Sequence, residues 1–118
     1  MIEDVVKKTL LFDFYGQLLT DKQRNIVEMY YGHDLSLSEI SEQIGISRQG
    51  VYDTLKRAEA TLEEYEDRLK LVDRFLQQKK ILSDITSMLD EIINEGYDDI
   101  EDIKNRLKKI KIFIEKLD

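Results

Sequence analysis

Two short runs of apolar residues at helical spacing, one before and one after Gly45, constrain the fold of this chain more than any other feature of its sequence. Gly45 follows the first run, and glycine adopts the positive φ of a tight helix end at little cost. Ser36 and Ser47 stand where helix N-caps are needed, and Glu39 follows Ser36 at the capping-box spacing. The pattern predicts a helix over residues 37–44, a turn, and a second helix after Ser47. Their shared core would contain Ile40, Ile44, Ile46, Val51 and Leu55.

This arrangement is a helix-turn-helix, whose second helix can lie in the major groove of DNA with its first turns against base edges. Arg48 and Gln49 would then meet base edges, and Lys56 and Arg57 would lie near phosphates. Asp53 would repel phosphate. The candidate nucleic-acid-binding residues are Ser47, Arg48, Gln49, Tyr52, Asp53, Lys56 and Arg57. A packing unit with solvated side chains is the alternative, so DNA binding, RNA binding and neither stay open.

The segment before the motif, Leu19–Gly32, has the signals of another capped helix. Thr20 is positioned as the N-cap, Asp21 suits the positive helix start, and a glycine ends the segment. Residues 19–62 together resemble the DNA-binding region 4 of bacterial sigma factors. In that region a helix that opens with Leu-Thr and ends in Tyr-Gly precedes the helix-turn-helix. The resemblance implies a wingless, sigma-like helix-turn-helix.

Over its whole length the chain, a sigma-like helix-turn-helix followed by acidic helices, resembles the YlxM family of helix-turn-helix proteins. That family is linked to the bacterial signal recognition particle, because its members are encoded beside the particle's GTPase. The resemblance implies a DNA-binding regulatory protein acting in that pathway. A second interpretation stays open, in which the protein is an accessory factor that binds signal recognition particle RNA or its GTPase and has no DNA-binding role.

The composition favours an all-α, cytoplasmic protein. The 118 residues include no proline, and 36% are charged and 42% apolar, with the apolar residues at helical spacing. The absence of cysteine excludes disulfides and thiolate metal sites. No apolar run approaches the ~18 residues of a membrane span. The acidic start, Ile2-Glu3-Asp4, is unlike a signal peptide.

No pattern in the sequence is typical of an enzyme or of a metal site. His33 is the only histidine and has no cysteine to join it as a ligand. A nucleophile–base pair, a phosphate-binding loop and an HExxH motif are all absent. We therefore expect no catalysis, no cofactor and no metal.

The net charge of −7 counts against extensive phosphate binding, which needs clustered Lys and Arg. Residues 1–57 hold seven basic and nine acidic groups, whereas residues 58–118 hold eleven and sixteen. Any nucleic-acid contact would therefore be local, through the cations at the start of the second helix. A continuous basic strip on the folded surface would favour DNA, and a broken one would favour a protein partner.

Beyond the motif, the apolar spacing predicts a long helix and a C-terminal helical hairpin. The second motif helix continues as a heptad seam as far as the polar run 77–80, through Leu55, Ala58, Leu62, Tyr65, Leu69, Val72 and Leu76. After that run, residues 81–95 and a last helix capped by Asp98 or Asp99 have the pattern of an antiparallel hairpin.

These patterns divide the chain into a helix-turn-helix domain, residues 1–57, and a helical extension with the hairpin, residues 58–118. The heptad seam and an apolar face on residues 3–18 have no evident partner within one chain. Since twofold dimers are the commonest assembly, we expect a homodimer formed through these surfaces.

Overall fold

Six α-helices form the part of the chain that the computed structural model describes, residues 2–96 and 99–117. In chain order they are α1 (Ile2–Tyr15), α2 (Asp21–Val27), α3 (Leu37–Ile44), α4 (Arg48–Leu69), α5 (Leu71–Asn94) and α6 (Ile100–Glu115). A 3₁₀ turn, Gly16–Leu18, follows α1, and a π-helical turn, Glu28–Gly32, extends α2. Because the described residues contain no β-strand, the predicted all-α fold class is confirmed.

The helix ends of the helix-turn-helix follow the cap signals in the sequence. The Ser36 hydroxyl accepts a hydrogen bond from the Glu39 N–H, and the Glu39 carboxylate accepts one from the Ser36 N–H. This backbone hydrogen bond lowers the pKa of Glu39. Gly45 ends α3 in the left-handed region at φ 81°, and the Ser47 hydroxyl caps α4. The predicted helix-turn-helix is therefore present, with α3 and α4 as its two helices.

The chain divides into two compact units, residues 1–72 and residues 73–118. The sequence had suggested a boundary after residue 57. The boundary between compact units lies further along because α4 continues to contribute to the first core, with Ala58 and Leu62 buried there.

The first unit is organised around α4, which contacts α1, α2 and α3. One stripe of α4 is buried, and from α1 it meets Leu11 and Tyr15, which are the buried part of the predicted α1 face. Leu10 of the same face packs half-buried against this core, whereas Val5, Val6 and Leu18 are exposed. The core cluster consists of Leu11, Tyr15, Leu19, Ile26, Val27, Met29, Ile40, Val51, Leu55, Ala58, Leu62 and Val72, and Ile44 and Ile46 pack against it while half-buried.

The predicted continuous helix through residues 55–76, with a bend at 77–80, is wrong. α4 ends at Leu69, Lys70 adopts the left-handed region at φ 57°, and α5 begins at Leu71 and runs unbroken through 77–80. The heptad seam is divided by this turn, so that Leu62 and Val72 are buried in the first unit while Leu69 is exposed.

A buried carboxylate explains why the chain turns at Lys70. Oε1 of Glu66 accepts a hydrogen bond from the Tyr15 hydroxyl at 2.6 Å and another from the Val72 N–H at 2.9 Å. The Tyr15 hydroxyl in turn accepts one from the Leu71 N–H at 3.1 Å. These contacts supply two of the acceptors that the first N–H groups of a new helix need. Burial, followed by the hydrogen bond to Glu66, raises the pKa of Tyr15.

The second unit is an antiparallel helical hairpin of α5 and α6, as the sequence predicted. The Gln78 amide donates to the Leu117 carbonyl at 3.0 Å, and the Arg106 guanidinium pairs with Glu91 at 3.2 Å. The carboxylate of Asp99 caps α6, and the alternative cap, Asp98, lies outside the described residues. Ile85 of α5 and Ile110 of α6 are buried.

None of the described helices combines the length and apolar character needed to cross a membrane.

Removing the Tyr15 hydroxyl tests the network that starts α5. Tyr15→Phe keeps the buried ring but leaves the Glu66 carboxylate and the Leu71 N–H each short of one partner. We expect the free energy of unfolding to fall by about 1–3 kcal/mol, the range for a buried polar group left unsatisfied. Urea denaturation followed by circular dichroism measures this.

The control is Tyr30→Phe, because the Tyr30 hydroxyl has no hydrogen bond to a described residue. Wild-type stability in Tyr15→Phe would contradict the role given to the network.

Candidate nucleic-acid interface

The turn between α3 and α4 is closed by side chains that the sequence places at its two ends. The Ser41 hydroxyl donates to the Ile46 carbonyl, and the Ser47 hydroxyl oxygen accepts from the Gly50 N–H at 2.9 Å. A Cβ at Gly50 would lie only 3.2 Å from the Ser47 hydroxyl oxygen. Glycine therefore lets the cap sit tightly against the first turn of α4, although it lowers intrinsic helix propensity.

All seven candidate residues lie together at the start of α4 and are exposed. Ser47 caps the helix, Arg48 is exposed in its first turn, and the other five lie away from the buried positions Val51, Leu55 and Ala58. We call this exposed surface the recognition face. Its residues are Arg48, Gln49, Tyr52, Asp53, Lys56 and Arg57.

An open groove runs in front of the recognition face, between the starts of α3 and α4. Its lining consists of Ser36, Leu37, Ser38, Arg48, Gln49 and Tyr52. The Arg48 guanidinium crosses the groove to the Ser38 hydroxyl at a long distance of 3.5 Å. The groove thus combines a cation with hydroxyl and amide groups, which are the donors that phosphates and base edges accept from. Ser36 and Ser38 were not among the sequence candidates, although their position at the α3 start was recognisable.

Two of the face's polar groups are paired with each other. The Gln49 amide donates to the Asp53 carboxylate at 2.9 Å, one helical turn further along. This contact holds the Asp53 charge on the face and engages one of the two N–H groups of the Gln49 amide. A base edge could still be read by the second N–H group and by the amide oxygen of Gln49.

Lys56 is also paired, through a residue that the sequence analysis missed. Its ammonium group contacts the Glu59 carboxylate at 3.2 Å and lies 5.5 Å from the centre of the Tyr52 ring. Glu59 also accepts a hydrogen bond from the Tyr31 hydroxyl at 2.6 Å and lies 3.6 Å from the Lys8 ammonium. The spacing of Lys56 and Glu59 was the available signal, but the contacts of Glu59 with the other two residues depend on tertiary packing.

The positive charge on the recognition face is therefore discontinuous. Arg48 and Arg57 form no ion pair with any residue in the described ranges, whereas Lys56 faces Glu59 and Asp53 lies between the cations. The face offers two unpaired guanidinium groups rather than a basic strip. Binding to a polyanion would use few ion pairs and would depend on hydrogen bonds.

Within the described part of the chain, no group of three or more His, Asp or Glu side chains is arranged to hold a metal ion.

The Tyr31–Glu59 contact makes the stability of this region depend on pH. Burial, with the hydrogen bond to Glu59 adding to it, raises the pKa of Tyr31 from 10.0 to about 12. The folded protein therefore favours the neutral phenol. The resulting stabilisation is complete below pH 10 and is lost as the pH rises towards 12, because the unfolded chain ionises first.

We accordingly expect the melting temperature to fall between about pH 10 and pH 12, and to fall less steeply in Tyr31→Phe than in the wild type. Thermal melts followed by circular dichroism over this range measure both slopes. Parallel curves for the two proteins would contradict the assignment.

Comparison with known proteins agrees with this architecture. Residues 2–116 match the sequence model of the family UPF0122, described as "Putative helix-turn-helix protein, YlxM / p13 like". A UPF0122 protein of Desulforamulus reducens is 50% identical over 105 residues, covering 88% of this chain and 90% of the relative. UPF0122 protein Teth514_1714 of a Thermoanaerobacter species is 56% identical over 104 residues, covering 88% of each chain. UPF0122 protein BcerKBAB4_3669 of Bacillus mycoides is 42% identical over 118 residues and covers all of both. The chain therefore belongs to the UPF0122 family of YlxM/p13-like helix-turn-helix proteins.

Proposed function

We propose that the protein is a cytoplasmic, non-enzymatic regulator that binds DNA through the recognition face of α4. The observation that supports this most strongly is that six side chains are exposed together in the first turns of the second helix of a helix-turn-helix. In this motif, the first turns of that helix are the part that enters the major groove. Membership of a helix-turn-helix family supports the same function.

The side chains suggest a division of roles along the face. Arg48 and Gln49 lie in the first turn of α4, beside the groove, where they would meet base edges. Arg57 lies at the other end of the face and would contact a phosphate. Lys56 would contribute less than an unpaired lysine, because Glu59 already neutralises part of its charge. Asp53 would weaken binding through repulsion of phosphate.

A second function is kept open by the broken charge of the face. A surface with two unpaired cations and a central carboxylate is less suited to a long polyanion than a continuous basic strip would be. Under this alternative the same face binds the particle's GTPase, a protein partner that the broken charge favours, or signal recognition particle RNA through few phosphate contacts. Both partners are implied by resemblance to the YlxM family. Binding measurements with RNA and with the GTPase beside DNA separate the two functions.

Charge variants on the recognition face test DNA binding directly. We expect Arg48→Ala to weaken binding by about tenfold and to reduce sequence preference, because it removes a base-edge contact worth about 1–3 kcal/mol. Lys56→Ala should weaken binding slightly and equally for all sequences. Asp53→Asn should strengthen binding, since it removes the repelling charge. The slope of affinity against salt should correspond to about two or three phosphate contacts per chain, at ~0.9 per phosphate.

Filter binding with a set of DNA duplexes of different defined sequence, over a range of salt, measures these effects. Arg68→Ala is the matched control. Arg68 is an exposed arginine on the same helix, about 30 Å from Arg48 at 1.5 Å per residue. Unchanged affinity in Arg48→Ala, or equal losses in Arg48→Ala and Arg68→Ala, would contradict the proposed face. Binding of the RNA or the GTPase without measurable binding of DNA at low salt would favour the second function.

A further inference from the structure

The hairpin of the second unit carries a row of apolar side chains that remain exposed in the single chain. On α5 the exposed residues Phe75, Leu82 and Leu89 repeat every seven positions. On α6 the exposed residues Ile100, Leu107 and Ile114 repeat in the same way. We call these six residues the hairpin stripe. Monomeric proteins rarely expose large contiguous apolar surfaces, so a stripe of this length indicates an interface.

The six residues lie on one side of the hairpin. The side of α5 that faces α6 contains Gln78, Ile85 and Ile92. Each stripe residue of α5 comes three positions before one of these residues. Each stripe residue of α6 likewise comes three positions before Ile103, Ile110 or Leu117. In two antiparallel helices, the same offset from the contact seam turns both sets of side chains towards the same side. The stripe is therefore one surface formed by both helices.

We propose that the hairpin stripe binds the hairpin stripe of a second copy of this chain, which forms a four-helix bundle. Two helices can bury only the seam between them, whereas two hairpins placed face to face enclose a core on four sides. A heptad repeat on both helices is the spacing that such side-by-side packing requires. A twofold dimer also needs a surface that is complementary to itself, and the hairpin's own charges meet this condition.

The charges at the edges of the stripe favour one orientation of the two hairpins. On the outer edge of α5 lie Lys79 and Asp90, and on the outer edge of α6 lie Lys104, Lys111 and Glu115. All five side chains are exposed, and none forms an ion pair with another described residue. The Lys79 ammonium lies 5.9 Å from the centre of the Phe75 ring in the stripe. The contacts of Gln78 with Leu117 and of Glu91 with Arg106 show which residues of α5 and α6 lie at the same height along the hairpin. Lys79 is thus almost level with Glu115, and Asp90 with Lys104.

A twofold axis along the helices would place α5 of one copy against α6 of the other at the same level. Lys79 would then meet the other copy's Glu115, and Asp90 would meet its Lys104. A twofold axis across the helices would instead pair α6 with α6 in opposite directions. Lys104 would then lie near the second copy's Lys111, which is unfavourable. Charge complementarity therefore selects the axis along the helices.

This interface differs from the one expected from the sequence. Leu62 and Val72 of the heptad seam are buried in the first unit, so that seam cannot pair with a second copy. The other exposed apolar surface that could form the dimer includes Val6 of α1 and Leu18 of the 3₁₀ turn that follows it. The experiment must therefore compare the two surfaces.

Sedimentation of the full chain at micromolar concentration tests the stripe. We expect the wild type to be a dimer, and Leu89→Asp and Leu107→Asp each to raise the dimer dissociation constant by more than about tenfold. Because both residues are exposed within one chain, circular dichroism should show unchanged helix content. Ile112→Asp is the matched control. Ile112 is an exposed isoleucine on the opposite side of α6, so this variant should remain a dimer.

Exchanging charges tests the orientation. Asp90→Lys and Lys104→Asp should each weaken the dimer, because each places like charges together across the interface. The double variant should recover most of the wild-type affinity, since it restores an opposite pair in reversed order. A monomeric wild type, dimers of the two leucine variants as stable as the wild type, or additive losses in the double charge variant would overturn the proposal. If Val6→Asp dissociates the dimer while Leu89→Asp and Leu107→Asp leave it intact, the interface lies on α1 and not on the hairpin stripe.

Discussion

The buried carboxylate of Glu66 is the contact on which the architecture of this chain depends. It accepts hydrogen bonds from the Tyr15 hydroxyl and from the Val72 N–H, so it joins α1 to α4 and starts α5. A carboxylate buried in a core is costly unless its oxygens are satisfied, and these donors satisfy one of them. Glu66 and Val72 flank Lys70 in the sequence, and the left-handed conformation of Lys70 brings the Val72 N–H to the carboxylate. The turn separates the helix-turn-helix unit from the hairpin.

The consequence for α4 is that one helix carries both structure and candidate function. Its inward stripe, Val51 to Leu62, fills the core between α1, α2 and α3, and its outward side is the recognition face. Glu59 of the same helix also links the packing of the first unit to the charge of the recognition face. Glu59 holds Tyr31 and Lys8 for packing, and it neutralises Lys56 at the edge of the face. A network that stabilises the first unit thereby limits the charge available to a nucleic acid.

The sequence predicted the local features well because each depends on residues that are close along the chain. Gly45, the capping box of Ser36 and Glu39, and the Ser47 cap lie where their spacing indicated, and they fix the geometry of the helix-turn-helix. The break at Lys70 could not be predicted in this way. No glycine or proline marks it, and the left-handed conformation there depends on Tyr15, which is far away in the sequence. The heptad pattern through residues 55–76 is real, but a period alone does not show whether one helix or two carry it.

The candidate residues of the site were predictable for the same reason that the helix-turn-helix was: they lie in the exposed first turns of a helix whose start is clearly marked. The contacts that these residues form were harder to predict from the sequence. Gln49 and Asp53 are one turn apart and could have been matched, whereas Glu59 is held by Tyr31 and Lys8 from other elements. Exposure and type of side chain thus follow from the sequence, but the net charge that a face presents requires the tertiary structure.

Nuclear magnetic resonance of the ¹⁵N-labelled chain, titrated with a short random-sequence DNA duplex at low salt, tests DNA binding by α4 most directly. The amide signals of residues 36–38 and 47–57 should shift first and furthest, because these residues line the groove and the recognition face. Signals from α5 and α6 should change little. Shifts concentrated in α5 and α6, or no shifts at any DNA concentration, would contradict recognition through the start of α4.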